Sequence, residues 1–285
     1  MSCNLILDVS NLAHRAFHAM GGGLMSYEGE PTEVLYGLFR DVVELKRLFK
    51  PRRVAWCFDG GFSGRRDIFD GYKANRLASL KEMDEDERAA RDGLRNQIWK
   101  LRTKHLPAAG FKNILWQDGY EADDLIASAC YNLPANESAV VVSNDMDLLQ
   151  LLSERVTIWK PITKLGVTVD SFSDTWGISP KRWVDAKSIA GDASDGIPGV
   201  VGVGLKTAIK YLTGNLKETT KTYQAIINNT DLWKRNAHLI GLPFPGTQEV
   251  RLVDERVTKE SWNKVMSDLG IKSLARRGRS RGRVR

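Results

Sequence analysis

The sequence predicts an α/β fold, a mostly parallel sheet flanked by helices, and two observations carry that reading. Short apolar runs of strand length recur: CNLILDV (3–9), RVAWCF (53–58), NILW (113–116) and AVVVS (139–143). They are nearly continuous rather than alternating, as strands buried on both faces are. Helical patterns separate them. Residues 32–49 set Val34, Leu35, Leu38, Val42, Leu45 and Leu48 on one face, and 121–133 form another helix. Strand alternating with helix calls for a sheet built by crossover connections.

The remaining features bound the chain's class. Its 285 residues are 42% hydrophobic and 27% charged, an ordinary balance for a folded protein, and long enough for one large or two small domains. No apolar run reaches the roughly 18 to 20 residues of a bilayer crossing, so no membrane partner is expected. The opening MSCNLILDVSNLAHR lacks the basic start of a signal peptide. Cys3, Cys57 and Cys130 lie far apart without a CxxC, which disfavours a disulfide framework or a cysteine zinc site and fits a reducing cytoplasm. The formal charge is +7, yet residues 272–285 hold seven basic side chains and no acid, leaving 1–271 with 35 of each sign. Charge alone therefore says little about what the body binds.

Two regions break the rhythm of strand and helix. Residues 73–106 are densely charged and helix-prone, with few apolar positions before Leu94, which predicts a projecting, solvated insertion. From about 178 the strands stop, and helical patterns surround the glycine-rich GIPGVVGVGLK (196–206). The expected division is an α/β unit over 1–177, a helical unit over 178–271 and a basic, disordered tail over 272–285.

The acidic residues follow from the sheet. Asp8 ends the first strand and Asp59 the second; Glu121, Asp123 and Asp124 follow the third, and Asp145 and Asp147 the fourth. Ligands of open α/β sheets bind beyond the carboxyl ends of the strands, so these seven should converge. Each alone suits a helix cap. Together they need cations, and all-oxygen ligation suits hard ions such as Mg²⁺ or Mn²⁺.

Basic residues stand nearby. Arg65 and Arg66 precede GYKANR, where Tyr72, Lys73 and Arg76 open the charged insertion. Lys73 and Arg76, three apart, can aim two cations at a phosphodiester, although a solvated helix face gives the same pattern. The stretch from Pro198 through Gly199, Gly202 and Gly204 to Lys206 and Thr207 misses the Walker pattern because Leu205 separates glycine from lysine. A helix-hairpin-helix turn, offering backbone N–H groups to a nucleic-acid phosphate, matches better; a capped loop is the plain alternative. Asp192 and Asp195 add two acids just before it. His14 and His18 have zinc-like spacing without a supporting glutamate, and read as packing or nucleic-acid contacts. Most of the eight tryptophans read as core.

In order, DVSNLAHRAFHA, FDGGFSGRR…GYKANR, GYEADDLIA, SNDMDLLQLL and GDASDGIPGVVGVGLKTA resemble the 5′-nuclease family of flap endonucleases and 5′→3′ exonucleases over about residues 4–213. The resemblance implies a PIN-like α/β domain over 1–177, a helical arch at 73–106 and a helix-3-turn-helix DNA-binding region within 178–271. It carries metal-site roles to Asp8, Asp59, Glu121, Asp123, Asp124, Asp145, Asp147, Asp192 and Asp195: Asp8, Asp124, Asp145 and Asp147 as direct ligands, Glu121 and Asp123 bound directly or through water, and Asp192 and Asp195 nearer the second metal. Arg65, Lys73 and Arg76 match cations at the scissile phosphate. Tyr72 sits beside them, Lys187 near the metals, and Gly199, Gly202, Gly204, Lys206 and Thr207 form the DNA-binding turn.

The implied cofactors are two Mg²⁺ ions, with Mn²⁺ able to substitute, and a K⁺ ion at the helix-3-turn-helix. The implied partners are DNA with a 5′ flap or 5′ end and RNA–DNA hybrid, met by a monomer in the cytoplasm of a bacterium or of a phage's host. The implied activity is two-metal hydrolysis in replication and repair. Val9, His14, Met146 and Gly196 depart from the usual residues, and the arch lacks the proline common after YKANR. A PIN-like ribonuclease and a non-catalytic DNA-binding module are the rival readings.

Overall fold

Leu5, Ile6 and Leu7 are all fully buried, which places β1 (Ser2–Asp8) at the centre of a six-stranded sheet. The computed structural model describes residues 2–19 and 26–275; the arginine run 276–285 of the predicted tail lies outside them. After β1 come α1 (Val9–Ala19), the small hairpin β2 (Ser26–Tyr27) and β3 (Glu30–Pro31), α2 (Glu33–Phe49) and β4 (Arg53–Cys57). Then follow α3 (Ser63–Ile68), α4 (Ala74–Glu82), α5 (Glu85–Lys100), a π-helical turn (Leu101–His105), α6 (Leu106–Ala109), β5 (Ile114–Leu115), α7 (Ala122–Tyr131) and β6 (Glu137–Val142). The sheet ends with β7 (Val156–Lys160) and β8 (Leu165–Val167), in the order β5-β4-β1-β6-β7-β8. Every pairing is parallel except that of β7 with β8.

The pleat sorts side chains to two layers. Leu5, Leu7, Val54, Trp56, Val140 and Val142 join the cluster under α1 and α2, while Ile6, Ala55, Cys57 and Val141 join the one under α7. With both faces covered, neither face of these strands needs polar residues, which is why the runs are unbroken. Register sets Asp8 opposite Cys57, so the acids after β1, β4 and β6 share one edge.

Beyond the sheet lie α8 (Val169–Trp176), α9 (Trp183–Ala190), the tight hairpin β9 (Gly191–Asp192) and β10 (Ile197–Pro198), then α10 (Leu205–Leu212), α11 (Lys221–Asn228), α12 (Thr230–Ile240) and α13 (Lys259–Asp268). The chain after α12 departs from the expectation of a separate helical unit. Ser128 Oγ donates to Gln248 O, Asn113 exchanges two hydrogen bonds with Val253, and Arg256 N donates to Gly110 O. This strap carries α13 to the first layer, where Trp262 meets Phe39 edge-on with ring centroids 5.4 Å apart. Lys272–Leu274 form a 3₁₀ turn whose Leu274 O accepts Trp262 Nε1 at 2.9 Å. Leu274 and Ala275, assigned to the tail, are therefore packed against this layer, while Lys272 and Ser273 are exposed.

The charged insertion divides in two. α4 buries none of its described side chains, and α5 starts at a capping box in which Asp84 and Glu87 exchange hydrogen bonds. From Leu94 the helix turns inward: Leu94, Gln97, Leu101, His105 and Leu106 are buried, and Gln97 bridges Val34 N and Glu33 Oε1 at the start of α2. The solvated reading describes the upper part, while 94–106 belong to the core.

His105 adds a testable pH dependence. Burial, with Lys104 and Lys100 nearby, pushes its pKa down to about 4, against a small opposing pull from Asp268. The unfolded chain thus binds the proton more tightly, and stability falls as pH drops from about 6.5 towards 4. A His105→Gln variant should show a flatter urea midpoint over that window; an identical acid slope in both proteins would contradict the assignment.

Candidate active site

Asp8, the last residue of β1, serves first as a helix cap: its Oδ1 accepts Asn11 N at 3.0 Å, in the first turn of α1. Its Oδ2 accepts the Ser143 hydroxyl at 2.7 Å, and the same Oγ accepts Asp145 N at 3.0 Å. Asp145 Oδ1 in turn accepts Asp147 N at 2.8 Å. Asp59 Oδ1 accepts Ala122 N at 2.8 Å, at the start of α7. Capping and clustering therefore coexist, because the helix N-termini open at the strand ends.

These acids fall into three electrostatic groups. Asp8, Asp59, Asp123 and Asp145 have no basic side chain within salt-bridge distance among the described residues. Burial first, then the charges of Asp59 and Asp145, push Asp8 up to about 7. Burial and the charges of Asp145, Asp8, Glu121 and Asp59 hold Asp123 well above the usual carboxylate range. Such crowding is what a cation would relieve.

The second group surrounds Lys73, which is buried and pairs with Glu121 and Asp195. Tyr72 donates to Glu121 Oε2 at 2.6 Å, and Arg76 reaches Asp195 Oδ1 at 2.8 Å. Burial works against the Lys73 charge, yet Glu121 and Asp195 raise its pKa above the ordinary value. Lys73 has φ +53°, a left-handed conformation that a non-glycine residue adopts at some cost. Its N–H donates to Asp195 O at 2.7 Å, which fastens the base of α4 to the β9–β10 hairpin. Gly196 fits that junction: its φ is +69°, and a Cβ there would lie 2.7 Å from Gly71 O.

In the third group Lys187 pairs with both Asp147 and Asp192. Burial outweighs the Lys187 charge at Asp147 and lifts it to about 6, whereas hydrogen bonds from Lys187 and Ser194 overcome burial and hold Asp192 low. The second and third groups flank a cleft of about 510 Å³ lined by Asn11, Asn144, Asp145, Asp147, Lys187 and Asp192.

Two expected site residues adjoin the second group but are committed to buried contacts, and Arg65 Nη1 also lies 3.3 Å from Glu121 Oε2. Asp124 is fully buried, and its oxygens accept four hydrogen bonds: Arg65 Nη1 at 2.7 Å, Arg65 Nη2 at 2.8 Å, Phe244 N at 2.9 Å and Glu121 N at 3.1 Å. These four bonds occupy the lone pairs of Asp124 in this arrangement. Arg65 is 3% exposed, and its Nε donates to Leu239 O at 2.8 Å. Burial opposes its charge, but Asp124 more than compensates and raises its pKa. Arg65 joins α3, α7 and α12, its guanidinium committed to Asp124, Glu121 and Leu239 O.

The glycine turn joins α9 to α10. Val200 and Val203 are buried while Val201 is 93% exposed. Cβ atoms on Gly202 or Gly204 would meet nothing, leaving the turn open outward, whereas one on Gly199 would lie 2.0 Å from Ala190 O. Gly199 is thus required by packing. Lys206 is exposed and Thr207 half-buried on the first turn of α10. Ser143, Asn11 and Phe244 were not singled out from the sequence. Ser143 was findable, as the one hydroxyl between β6 and Asp145; the Phe244 N–H contact spans 120 positions and leaves no local signal.

Comparison with known proteins agrees with this architecture. Residues 4–177 match the family model for the 5′-3′ exonuclease, N-terminal resolvase-like domain. The chain is 35% identical over 217 residues to the 5′-3′ exonuclease of Bacillus subtilis, covering 73% of this chain and 69% of that one. It is 31% identical over 240 residues to the thermostable DNA polymerase I of Thermus caldophilus, covering 82% of this chain but only 27% of the polymerase. The bacteriophage T5 D15 flap endonuclease, solved with DNA and metal ions, shares the fold at TM-score 0.71 and 20% identity, over 85% of this chain and 89% of that one. Among the described residues, no helix is long and apolar enough to cross a membrane. The motif order, the carboxylate edge and the match over the whole α/β unit together make the chain a member of the 5′-3′ exonuclease family.

Proposed function

We propose that the chain is a structure-specific 5′ nuclease that hydrolyses phosphodiesters at DNA 5′ ends and 5′ flaps, and in RNA primers, during replication and repair. The observation that carries this reading is the group Asp8, Asp59, Asp123 and Asp145, crowded at one edge without a cationic partner, beside Lys73 and Arg76 at the base of α4. The donor chemistry fits two hard divalent ions, Mg²⁺ or Mn²⁺, since every donor is a carboxylate oxygen. As placed, no three such side chains among the described residues converge closely enough to hold an ion. Binding therefore calls for side-chain rotation that brings these carboxylates together. Two ions bound there would activate the attacking water and neutralise charge on the phosphoryl group.

The chain's own residues do the rest. Ser143 fixes Asp8 and Asp145 relative to each other through one hydroxyl. Lys73 and Arg76, held at the site's rim by Glu121 and Asp195, neutralise phosphoryl oxygens once substrate competes for them. The helix-3-turn-helix of α9 and α10, with Gly202, Gly204, Lys206 and Thr207, grips duplex backbone without reading bases, with K⁺ as its ion. The protein acts as a monomer.

A DNA substrate with a labelled 5′ flap tests the reading. Mg²⁺ should give short labelled products from the flap junction or 5′ end, and EDTA should abolish them; metal-independent cleavage, or none on any 5′ structure, would contradict it. Lys73→Ala should slow single-turnover cleavage by roughly 10²-fold or more while duplex affinity changes little. Collapsed affinity with an unchanged bound rate would make Lys73 a binding residue only.

A further inference from the structure

Trp99 and Trp116 are exceptions to the buried tryptophans, 56% and 41% exposed. Arg102 lies between them. Its guanidinium carbon is 4.3 Å from the centroid of the Trp116 ring, and it follows Trp99 by three positions on the same continuous helical stretch. Arg95, four residues before Trp99, continues this stripe one turn up α5, beside the inward face of Leu94, Gln97 and Leu101.

We propose that Trp99, Arg102 and Trp116 form a stacking site for single-stranded DNA, the unpaired 5′ segment of the substrate; the inference rests on the nuclease reading above. Charge identifies the partner as a polyanion. Residues 93–117 contain five Lys or Arg and no Asp or Glu. Among the described residues Arg95, Arg102, Lys104 and Lys112 make no salt bridge, and only Lys100 is paired, with Glu30. The tryptophans identify the rest of the partner, because indole faces interleaved with cations match alternating bases and phosphates.

The site is also held in place. Gln117 Nε2 donates to Gly246 O at 2.9 Å and Gln117 Oε1 accepts Gln248 N at 2.8 Å, so both ends of the Gln117 amide pin the Trp116 loop to the strap after α12. The same loop packs on Gly60, where a Cβ would sit 1.8 Å from Gln117 O, and then delivers Glu121. The stacking site and the carboxylate edge thus share one rigid segment, and a strand leaving the cleavage site meets a fixed surface.

The test compares wild type with Trp99→Ala/Trp116→Ala for binding of a labelled oligothymidylate in EDTA, beside an abasic oligomer of equal length. We expect the thymidylate to bind at least about fivefold less tightly for each tryptophan removed, and the abasic oligomer to bind both proteins alike. Equal thymidylate affinity in the two proteins would overturn the proposal, as would an equal loss for both oligomers, which would place the effect in the fold or the phosphates. Should the double variant fail to fold, Trp99→Ala alone carries the same comparison. Wild-type cleavage of a duplex lacking any single-stranded 5′ segment, in Mg²⁺, is measured separately. A labelled 5′-flap substrate is measured beside it, and absence of metal-dependent cleavage on both would overturn the nuclease reading and leave the binding comparison standing.

Discussion

Asp145→Asn should slow single-turnover cleavage by more than about 10³-fold, beyond the roughly 10² to 10³ that one lost electrostatic contact costs, while DNA affinity stays near wild type. Asp145 is the node of the unpaired acids: its charge acts on both Asp8 and Asp123, and its backbone N–H is tied to Asp8 through Ser143. The amide keeps the volume and the oxygen that accepts Asp147 N, so the local fold should survive. What is lost is one negative charge at the proposed ion site. Near-normal turnover at saturating Mg²⁺ would remove Asp145 from the ligand set.

Arg65→Met should destabilise the protein by about 3 to 5 kcal/mol, the usual cost of leaving one member of a buried ion pair alone. Asp124 is fully buried and would keep only the Phe244 and Glu121 N–H groups. The double variant Arg65→Met/Asp124→Leu should recover a large part of that loss, since no charge remains buried without a partner. Urea denaturation with matched m-values decides the matter. A stable, well-folded Arg65→Met protein with a large fall in cleavage rate would restore the role at the phosphate that its motif position implies.

The legible part of the fold was the part dictated by burial on both faces. β1, β4 and β6 read as unbroken apolar runs because both sides of the sheet are covered. β7 escaped notice because its burial alternates, Val156 and Ile158 inward with Thr157 and Trp159 partly exposed, and β8 because it is three residues long and largely exposed. The acids were legible from their places after strands. Their partners were not, since the Arg65–Asp124 pair spans 59 positions and the Lys187–Asp147 pair 40. The same limit hid the strap after α12, whose sequence looks like loop and whose hydrogen bonds reach back more than 100 residues. Local pattern tells what a residue can do; tertiary pairing decides which acids are already committed.

The proposed divalent-ion site comprises Asp8, Asp59, Asp123 and Asp145, with Asp124 outside it. Electron paramagnetic resonance titration of free Mn²⁺ tests it most directly, using wild type, Asp8→Asn/Asp123→Asn and Asp124→Asn, each first shown to be folded by circular dichroism. Wild type should bind Mn²⁺, Asp8→Asn/Asp123→Asn should lose that binding, and Asp124→Asn should keep wild-type affinity. Unaltered binding in the double variant, or loss confined to Asp124→Asn, would contradict that assignment.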